Sequence, residues 1–112
     1  MVIGHAKAGK VTYLTPSQPL LEAQVPALRQ ALEECLAAAE TRIVIDLHGV
    51  AAVDSQGLEF LLEARDAVDA RGGGLQLANP NPLVHEILAA TRLDRELEIT
   101  FDLERAGRSF RS

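Results

Sequence analysis

The spacing of apolar residues changes along the chain, and each change marks a predicted element. Residues 42–47 read R-I-V-I-D-L, a short β-branched run that is typical of a buried strand. Before this run, apolar residues fall at helical spacing at positions 21, 25, 28, 32, 35, 36 and 39. After it, residues 58–68 place five apolar side chains on one helix face: Phe60, Leu61, Ala64, Ala67 and Val68. The pattern predicts a central strand between two amphipathic helices.

The N-terminal part predicts a hairpin, a loop and then the first helix. Residues 2–3 and 11–14 are short strand-like pieces that are compatible with a β-hairpin. Residues 15–19 contain two prolines, which argue against a central strand and predict a loop. Proline is tolerated only in the first turn of a helix, so the first helix should begin between Leu21 and Pro26.

Glycine, asparagine and proline mark the element boundaries in the second half. The glycines at 72–74 should end the second long helix in a reversal that needs positive φ angles. Asn81 followed by Pro82 reads as an N-cap and first helical position, and predicts a third helix through Ala89. Short apolar runs predict strands at residues 75–78 and 97–101.

Strand and helix alternate from residue 21 onward, which predicts an α/β fold. We expect a mixed β-sheet of four to five strands, with helices packed mainly on one face. Ser55 should lie at the start of the second long helix. The 112 residues suffice for one such domain over 1–112 and are too few for two.

Composition and charge exclude several functional classes. The net charge of −5 argues against a general nucleic-acid binder, because no basic excess is available to displace counterions from phosphates. The single cysteine excludes an intramolecular disulfide and a Cys-rich metal site. No apolar run approaches the roughly 20 residues of a membrane span, and the N-terminus lacks a signal-peptide core. We therefore expect a cytoplasmic protein without membrane insertion.

Ser55 lies where the predicted strand gives way to the second helix. The first turn of a helix presents unpaired N–H groups and the positive end of the helix dipole, so this hydroxyl could be an N-cap, a phosphate acceptor or a nucleophile. Catalysis would need a general base. The histidines His5, His48 and His85 form no recognisable partner pattern, and Val53 breaks the G-x-S-x-G motif. We expect no catalytic residue and no enzymatic activity.

Metal and cofactor sites are not predicted either. The histidines form no i, i+4 pair and have no cysteine partner along the sequence. Cys35 lies on the apolar stripe of the first helix, which indicates a packing role. Glu59, Glu63 and Asp66 crowd onto one face of the second helix, which is either a solvated face or an acidic patch for a basic partner.

The stretch R-I-V-I-D-L-H-G-V-A-A-V-D-S-Q-G-L-E-F-L-L-E-A resembles the core signature of the STAS domain of bacterial anti-sigma factor antagonists. In that family a strand, a short loop with Asp-Ser-x-Gly and a helix carry the phosphorylated serine. The resemblance continues through R-G-G-G-L-Q-L-A-N-P-N-P-L-V-H-E-I-L, like the family's Gly-rich turn, strand and Pro-flanked helix. It then runs into T-R-L-D-R-E-L-E-I-T-F, and covers about residues 42–101.

The resemblance assigns roles to individual residues. Ser55 matches the phosphoacceptor, Asp54 the acidic residue before it, and Gly57 the glycine that lets a partner approach the helix start. The partner-binding residues that it implies are Asp54, Ser55, Gln56, Gly57, Leu58 and Glu59. The chain departs from the family pattern at Gln56, where a second serine is common, and at residues 15–18, where many members have a Gly-x-Leu-Asp turn.

The function that the resemblance implies is that of an anti-sigma factor antagonist. Its partners would be an anti-sigma factor that is also a serine protein kinase, and a phosphatase; the chain would be a monomer or weak dimer. Phosphorylation adds roughly −1.5 to −2 charge and would break a close interface. The alternatives are a STAS subunit of a lipid-transport ATP-binding-cassette complex and a stressosome-like scaffold, in which the serine is not phosphorylated.

Overall fold

The computed structural model describes residues 3–102 and residue 106. This part of the chain forms five strands and three α-helices, joined in places by single 3-10 turns. In chain order these are β1 (Ile3–Ala8), β2 (Val11–Pro16), α1 (Val25–Ala37), β3 (Arg42–Asp46), α2 (Ser55–Asp69), β4 (Gly74–Ala78), α3 (Pro82–Ala90) and β5 (Glu98–Thr100). The predicted alternation of strand and helix is confirmed.

The strands form one mixed sheet in the order β1-β2-β3-β4-β5. β1 and β2 pair antiparallel through a tight turn at Gly9, which has a φ of 62° that glycine adopts without strain. β2 to β5 are parallel neighbours, because a helical crossover separates each from the next. The predicted hairpin is confirmed. Val2, in the first predicted strand, lies outside the described residues.

The two faces of the sheet are covered differently. Side chains alternate along β3, so Ile43 and Ile45 point to one face and Val44 to the other. Ile43 and Ile45 belong to the main hydrophobic core, to which all three helices contribute. Val44 packs in a smaller cluster with Val11, Ala78 and Ala106. The prediction of helices mainly on one face is confirmed.

The prediction of a loop over residues 15–19 was wrong at its start. β2 continues through Thr15 to Pro16, which lies opposite Ile3 of β1. The ladder between β2 and β3 covers only residues 12–14 of β2. Pro16 therefore lies beyond the part of the strand that has neighbours on both sides, and its missing N–H removes no hydrogen bond from that ladder.

α1 begins where the proline predicted, but the predicted apolar face included residues on both sides of the helix that do not belong to it. The helix begins at Val25, and Pro26 lies in its first turn. Leu21 precedes the helix and is exposed. Ala39 follows the helix in a left-handed conformation, with a φ of 59°, and is exposed. Neither residue belongs to the buried face: Leu21 has extended backbone before the 3-10 turn, and Ala39 lies in the turn that reverses the chain after α1.

The predicted starts of α2 and α3 are confirmed, and α2 ends before the glycines as expected; of these glycines only Gly72 has a positive φ, and Gly74 already belongs to β4. Gly72 has a φ of 77°, and the backbone of Gly73 passes so close to the carbonyl oxygen of Thr41 that a Cβ would overlap it. The side chain of Asn81 caps α3 by accepting a hydrogen bond from the backbone N–H of Val84 at 2.7 Å. Within the described residues, no helix has both the length and the apolar character needed to cross a membrane.

Candidate functional site

Ser55 is the first residue of α2, at the edge of the sheet where the parallel strands end. β3 ends at Asp46, and the chain then runs through a loop, with a turn at His48 and Gly49, to α2. The side chain of Ser55 is exposed, and within the described part of the chain its hydroxyl has no hydrogen-bond partner. The structure thus places Ser55 at the start of the second long helix, as the sequence predicts.

Asp54, and not Ser55, is the N-cap of α2. Its backbone is extended, and one carboxylate oxygen accepts a hydrogen bond from the backbone N–H of Gly57 at 2.9 Å. The other oxygen accepts from the backbone N–H of Glu22, also at 2.9 Å. These bonds, that from Gly57 first, hold the pKa of Asp54 below its ordinary value. Of the three roles left open for Ser55, the structure excludes the N-cap, because the chain stays extended through Asp54 and the helix begins one residue later.

The loop before α1 supports this helix start. Leu20 pairs with Val53 as an isolated parallel bridge; its N–H donates to the carbonyl of Ala52 at 2.9 Å, and its carbonyl accepts from the N–H of Asp54 at 3.1 Å. A Cβ on Gly57 would overlap the carbonyl oxygen of Leu20 and lie 2.8 Å from a methyl of Val53. Gly57 is needed for this close approach within the chain, while its contact with a partner stays a prediction.

A third loop joins the same edge. The side-chain amide of Asn81 donates to the carbonyl of Val50 at 3.0 Å, so the cap of α3 is tied to the loop before Ser55. Sequence analysis identified Asn81 as a cap and missed this second bond. Residues 20–22 were also missed. One feature of the sequence could have indicated their role. Leu21 precedes the helix start that Pro26 marks, and an apolar side chain outside the helix need not face the core.

The six predicted partner-binding residues form two groups. Ser55, Gln56 and Glu59 are exposed, and Leu58 is half-buried, so these side chains are available to a partner. Asp54 and Gly57 are occupied by contacts within the chain. Glu59 is one helical turn from Ser55 and lies on the same side of α2, so the exposed hydroxyl has negative side chains before and after it.

The surroundings of Ser55 offer no catalytic constellation within the described residues. His5 contacts Glu40, and the ring of His85 lies edge-on to Phe101 with 4.9 Å between centroids. The backbone N–H of His48 donates to Asp46 at 3.0 Å, and no histidine in the described part hydrogen-bonds to Ser55. No general base is therefore held against the hydroxyl.

The acidic face of α2 is partly neutralised. Arg29 of α1 donates to Glu63 at 2.8 Å, and Arg65 contacts Asp66 at 2.9 Å. Glu59 has no ion pair within the part of the chain that the structure describes. Of the three acidic residues on this face, the unpaired one is therefore the one beside Ser55.

Comparison with known proteins identifies the type of domain. A family model described as "Mlab, STAS domain" matches residues 4–102. No curated protein matches the chain by sequence. Among solved structures, a Thermotoga maritima protein whose description assigns it provisionally to the anti-sigma factor antagonists has a TM-score of 0.92 at 23% identity, over 98% of this chain and 95% of that one.

Two further structures extend the comparison. An anti-sigma factor antagonist from Mycobacterium paratuberculosis has a TM-score of 0.88 at 22% identity, over 99% of this chain and 94% of that one. The anti-sigma factor antagonist SpoIIAA in its unphosphorylated form has a TM-score of 0.74 at 17% identity, over 99% of each chain. At these identities the similarity establishes the fold, and it adds no residue role.

Proposed function

The chain belongs to the STAS domain family, and on that premise we propose that it is an anti-sigma factor antagonist switched by phosphorylation of Ser55. In its unmodified form it binds an anti-sigma factor that is also a serine protein kinase, through Ser55 and the neighbouring residues 54–59. Phosphorylation of Ser55 by that partner ends the binding, and a phosphatase restores it. The protein itself performs no chemistry, and this role places it in the cytoplasm.

The observation that carries the proposal is that the side chain of Ser55 makes no contact on which the fold depends. Asp54 already caps α2, and the hydroxyl of Ser55 is exposed and unbonded within the described residues. A kinase needs such a hydroxyl, because phosphoryl transfer requires the acceptor oxygen to enter the kinase active site. Alanine would fit the first helical position at least as well, so the fold gives no reason for serine here.

The charges around Ser55 explain how a phosphate could act as a switch. The lowered pKa of Asp54 keeps its carboxylate ionised at neutral pH, and Glu59 lies one turn further on. A phosphate would add roughly −1.5 to −2 charge beside these two carboxylates. A partner surface that fits the unmodified hydroxyl would then face added bulk and a concentrated negative charge.

The fold should tolerate this modification. Ser55 is exposed, so a phosphate would remain in water and displace no packed side chain. The positive end of the α2 dipole favours an anion by about 0.3–1 kcal/mol, which opposes the repulsion from Asp54. The switch would therefore change what the surface binds and leave the domain folded.

The second candidate is a passive STAS module in which Ser55 is only a contact residue. The observation that favours it is the description of the matched family model, which names Mlab and not an anti-sigma factor antagonist. The chain would then be a subunit of a lipid-transport ATP-binding-cassette complex or of a stressosome-like scaffold. Gln56 stands where the family often has a second serine, and this substitution is compatible with either candidate function.

The deciding experiment takes a candidate kinase-type anti-sigma factor from the neighbouring genes, titrates it with wild type, Ser55→Ala and Ser55→Asp, and uses mass spectrometry after incubation with ATP. We expect wild type and Ser55→Ala to bind, Ser55→Asp to bind at least about tenfold more weakly, and one phosphate on Ser55. Gln30→Glu, an exposed change on α1, is the control for net charge and should bind like wild type. Equal affinities for all variants, with no phosphate on Ser55, would leave only the passive module.

A further inference from the structure

Three side chains that commonly bind metals converge far from Ser55 in sequence, between β1 and the end of α1. They are His5 in β1, Cys35 in the last turns of α1 and Glu40 just after that helix. One ligand atom from each, a ring nitrogen, the sulfur and a carboxylate oxygen, lies within 4.8 Å of the other two. The Nε2 of His5 and the Oε1 of Glu40 are 3.3 Å apart.

The backbone holds these side chains together. His5 lies opposite Leu14 in the β1–β2 ladder, so it is on the helix-covered face of the sheet. After α1 the chain reverses through Ala39, and the N–H of Glu40 donates to the carbonyl of Cys35 at 2.8 Å. This reversal returns Glu40 to the side of Cys35. The sequence separations are 30 and 5 residues, which explains why no ligand motif is visible in the sequence.

The surroundings favour a bound cation. The three side chains line an open cleft together with Ile3 and Glu34, so a second carboxylate faces the same space. Cys35 is 3% exposed, while the side chain of His5 is 52% exposed, so the cleft leads from the core to solvent. Lys7 is the opposing charge, with its Nζ 3.7 Å from Glu40; its side chain is 52% exposed and can turn into water.

The position of Cys35 disfavours a free thiolate. Burial, followed by the charge and hydrogen bond of Glu40 and the charge of Glu34, raises the pKa of Cys35 to about 11. The buried position of the thiol also argues against a nucleophilic or redox role. A metal ion would reverse this balance, because its charge offsets the carboxylates and stabilises the thiolate.

We infer that His5, Cys35 and Glu40 form a three-ligand site for Zn²⁺, in which water or Glu34 completes the coordination. Mixed nitrogen, sulfur and oxygen ligands suit zinc, whereas Mg²⁺ and Ca²⁺ prefer oxygen alone. Ligand atoms 2.0–2.3 Å from a tetrahedral zinc lie roughly 3.5 Å apart; the His5–Glu40 distance of 3.3 Å is already of this size, and the sulfur lies within 4.8 Å of both atoms. On binding, the thiol releases its proton to solvent.

We expect a bound metal ion to cross-link β1 and α1 and so stabilise their packing. Among the described residues β1 is an edge strand that pairs with β2 alone, and most of its residues are exposed. Ligands from β1, α1 and the turn after α1 would join this edge to the helical layer. Because the ion binds the folded state, Zn²⁺ should raise the melting temperature in a concentration-dependent way.

The test uses the full chain without an affinity tag, titrated with Zn²⁺ by calorimetry and with Co²⁺ by absorption spectroscopy. We expect one equivalent of either ion, a thiolate-to-cobalt charge-transfer band, and no binding of Mg²⁺. His5→Ala and Glu40→Gln should weaken Zn²⁺ binding at least about tenfold, since loss of an outer-shell partner alone costs 10–100-fold. His48→Ala, which removes an exposed histidine elsewhere, should bind like wild type.

Several results would overturn the inference. They are no binding of Zn²⁺, a cobalt spectrum without the thiolate band, or an equal loss of affinity in His48→Ala and His5→Ala. His5 is exposed, so its alanine variant should fold, and circular dichroism verifies this before each titration. The melting temperature should rise with Zn²⁺ in wild type and stay constant in His5→Ala. An equal rise in both would show binding at another place.

Discussion

Asp54 and Ser55 are adjacent, yet the fold gives them separate tasks. The carboxylate of Asp54 accepts backbone hydrogen bonds from two elements, the start of α2 and the turn before α1. The hydroxyl of Ser55 is exposed and has no partner within the described residues. A site that must be modified without unfolding needs this separation, because the modified residue can then change while its neighbour keeps the helix in place.

The first prediction tests this separation by mutation. Ser55→Ala should leave the free energy of unfolding within about 0.5 kcal/mol of wild type, as expected for an exposed residue without bonds. Asp54→Ala should lower it by about 0.5–2 kcal/mol, because α2 loses its cap. Urea unfolding of the two variants beside wild type measures both values. A loss in Ser55→Ala as large as that in Asp54→Ala would contradict the assignment of Asp54 as the cap.

The pKa of Asp54 predicts how its contribution depends on pH. The pKa is lowered in the folded state, so the ionised carboxylate stabilises the fold above its ordinary pKa of 3.8. That contribution is lost as the pH falls through the lowered, folded-state pKa. Asp54→Asn keeps a good capping residue that does not titrate. The stability of wild type relative to Asp54→Asn should therefore decline in acid, and a difference that is independent of pH would contradict the prediction.

At the scale of elements, α1 and α2 end in the same way with different residues. Both helices close with a pair of hydrogen bonds in which a left-handed residue reverses the chain, Ala39 after α1 and Gly72 after α2. A left-handed conformation costs an alanine roughly 1–2 kcal/mol and costs a glycine almost nothing. Ala39→Gly should therefore stabilise the protein by about 0.5–1 kcal/mol, and Gly72→Ala should destabilise it by about 1 kcal/mol. Thermal and urea unfolding measure both changes in stability. If the two variants were both stabilised or both destabilised, the assignment of the two left-handed residues would be contradicted.

The elements themselves could be predicted from the sequence because each has a periodic pattern. The buried run of β3 and the apolar face of α2 depend on local spacing, which is visible without the fold. The extension of β2 to Pro16 could not be predicted, because it depends on which neighbouring strand ends first. The same holds for the cap of α2: Asp54 and Ser55 are both good capping residues, and the bridge between Leu20 and Val53 decides between them.

At the scale of the whole molecule, the loops before α1, α2 and α3 meet at one edge of the sheet and are joined by hydrogen bonds. The backbone of Glu22 bonds to Asp54, and the side chain of Asn81 bonds to Val50, so the loop before α2 is held from both sides. A braced surface loses little conformational entropy on binding, which favours recognition without rearrangement. A change at Ser55 should therefore act through its own charge and bulk, and not by reshaping the surface.

The last prediction separates charge from bulk by comparing Ser55→Asp with Ser55→Asn, which has nearly the same size and no charge. If repulsion dominates, Ser55→Asp should bind the partner about tenfold more weakly than Ser55→Asn at low salt, or ~1.4 kcal/mol. This value lies between the roughly 1 kcal/mol of two like charges 4 Å apart in bulk water and the roughly 4 kcal/mol of such a pair near a protein surface. The gap should close as salt increases, because exposed charges are screened beyond about 10 Å at 0.1 M ionic strength. Equally weak binding by both variants would show that steric exclusion controls the switch.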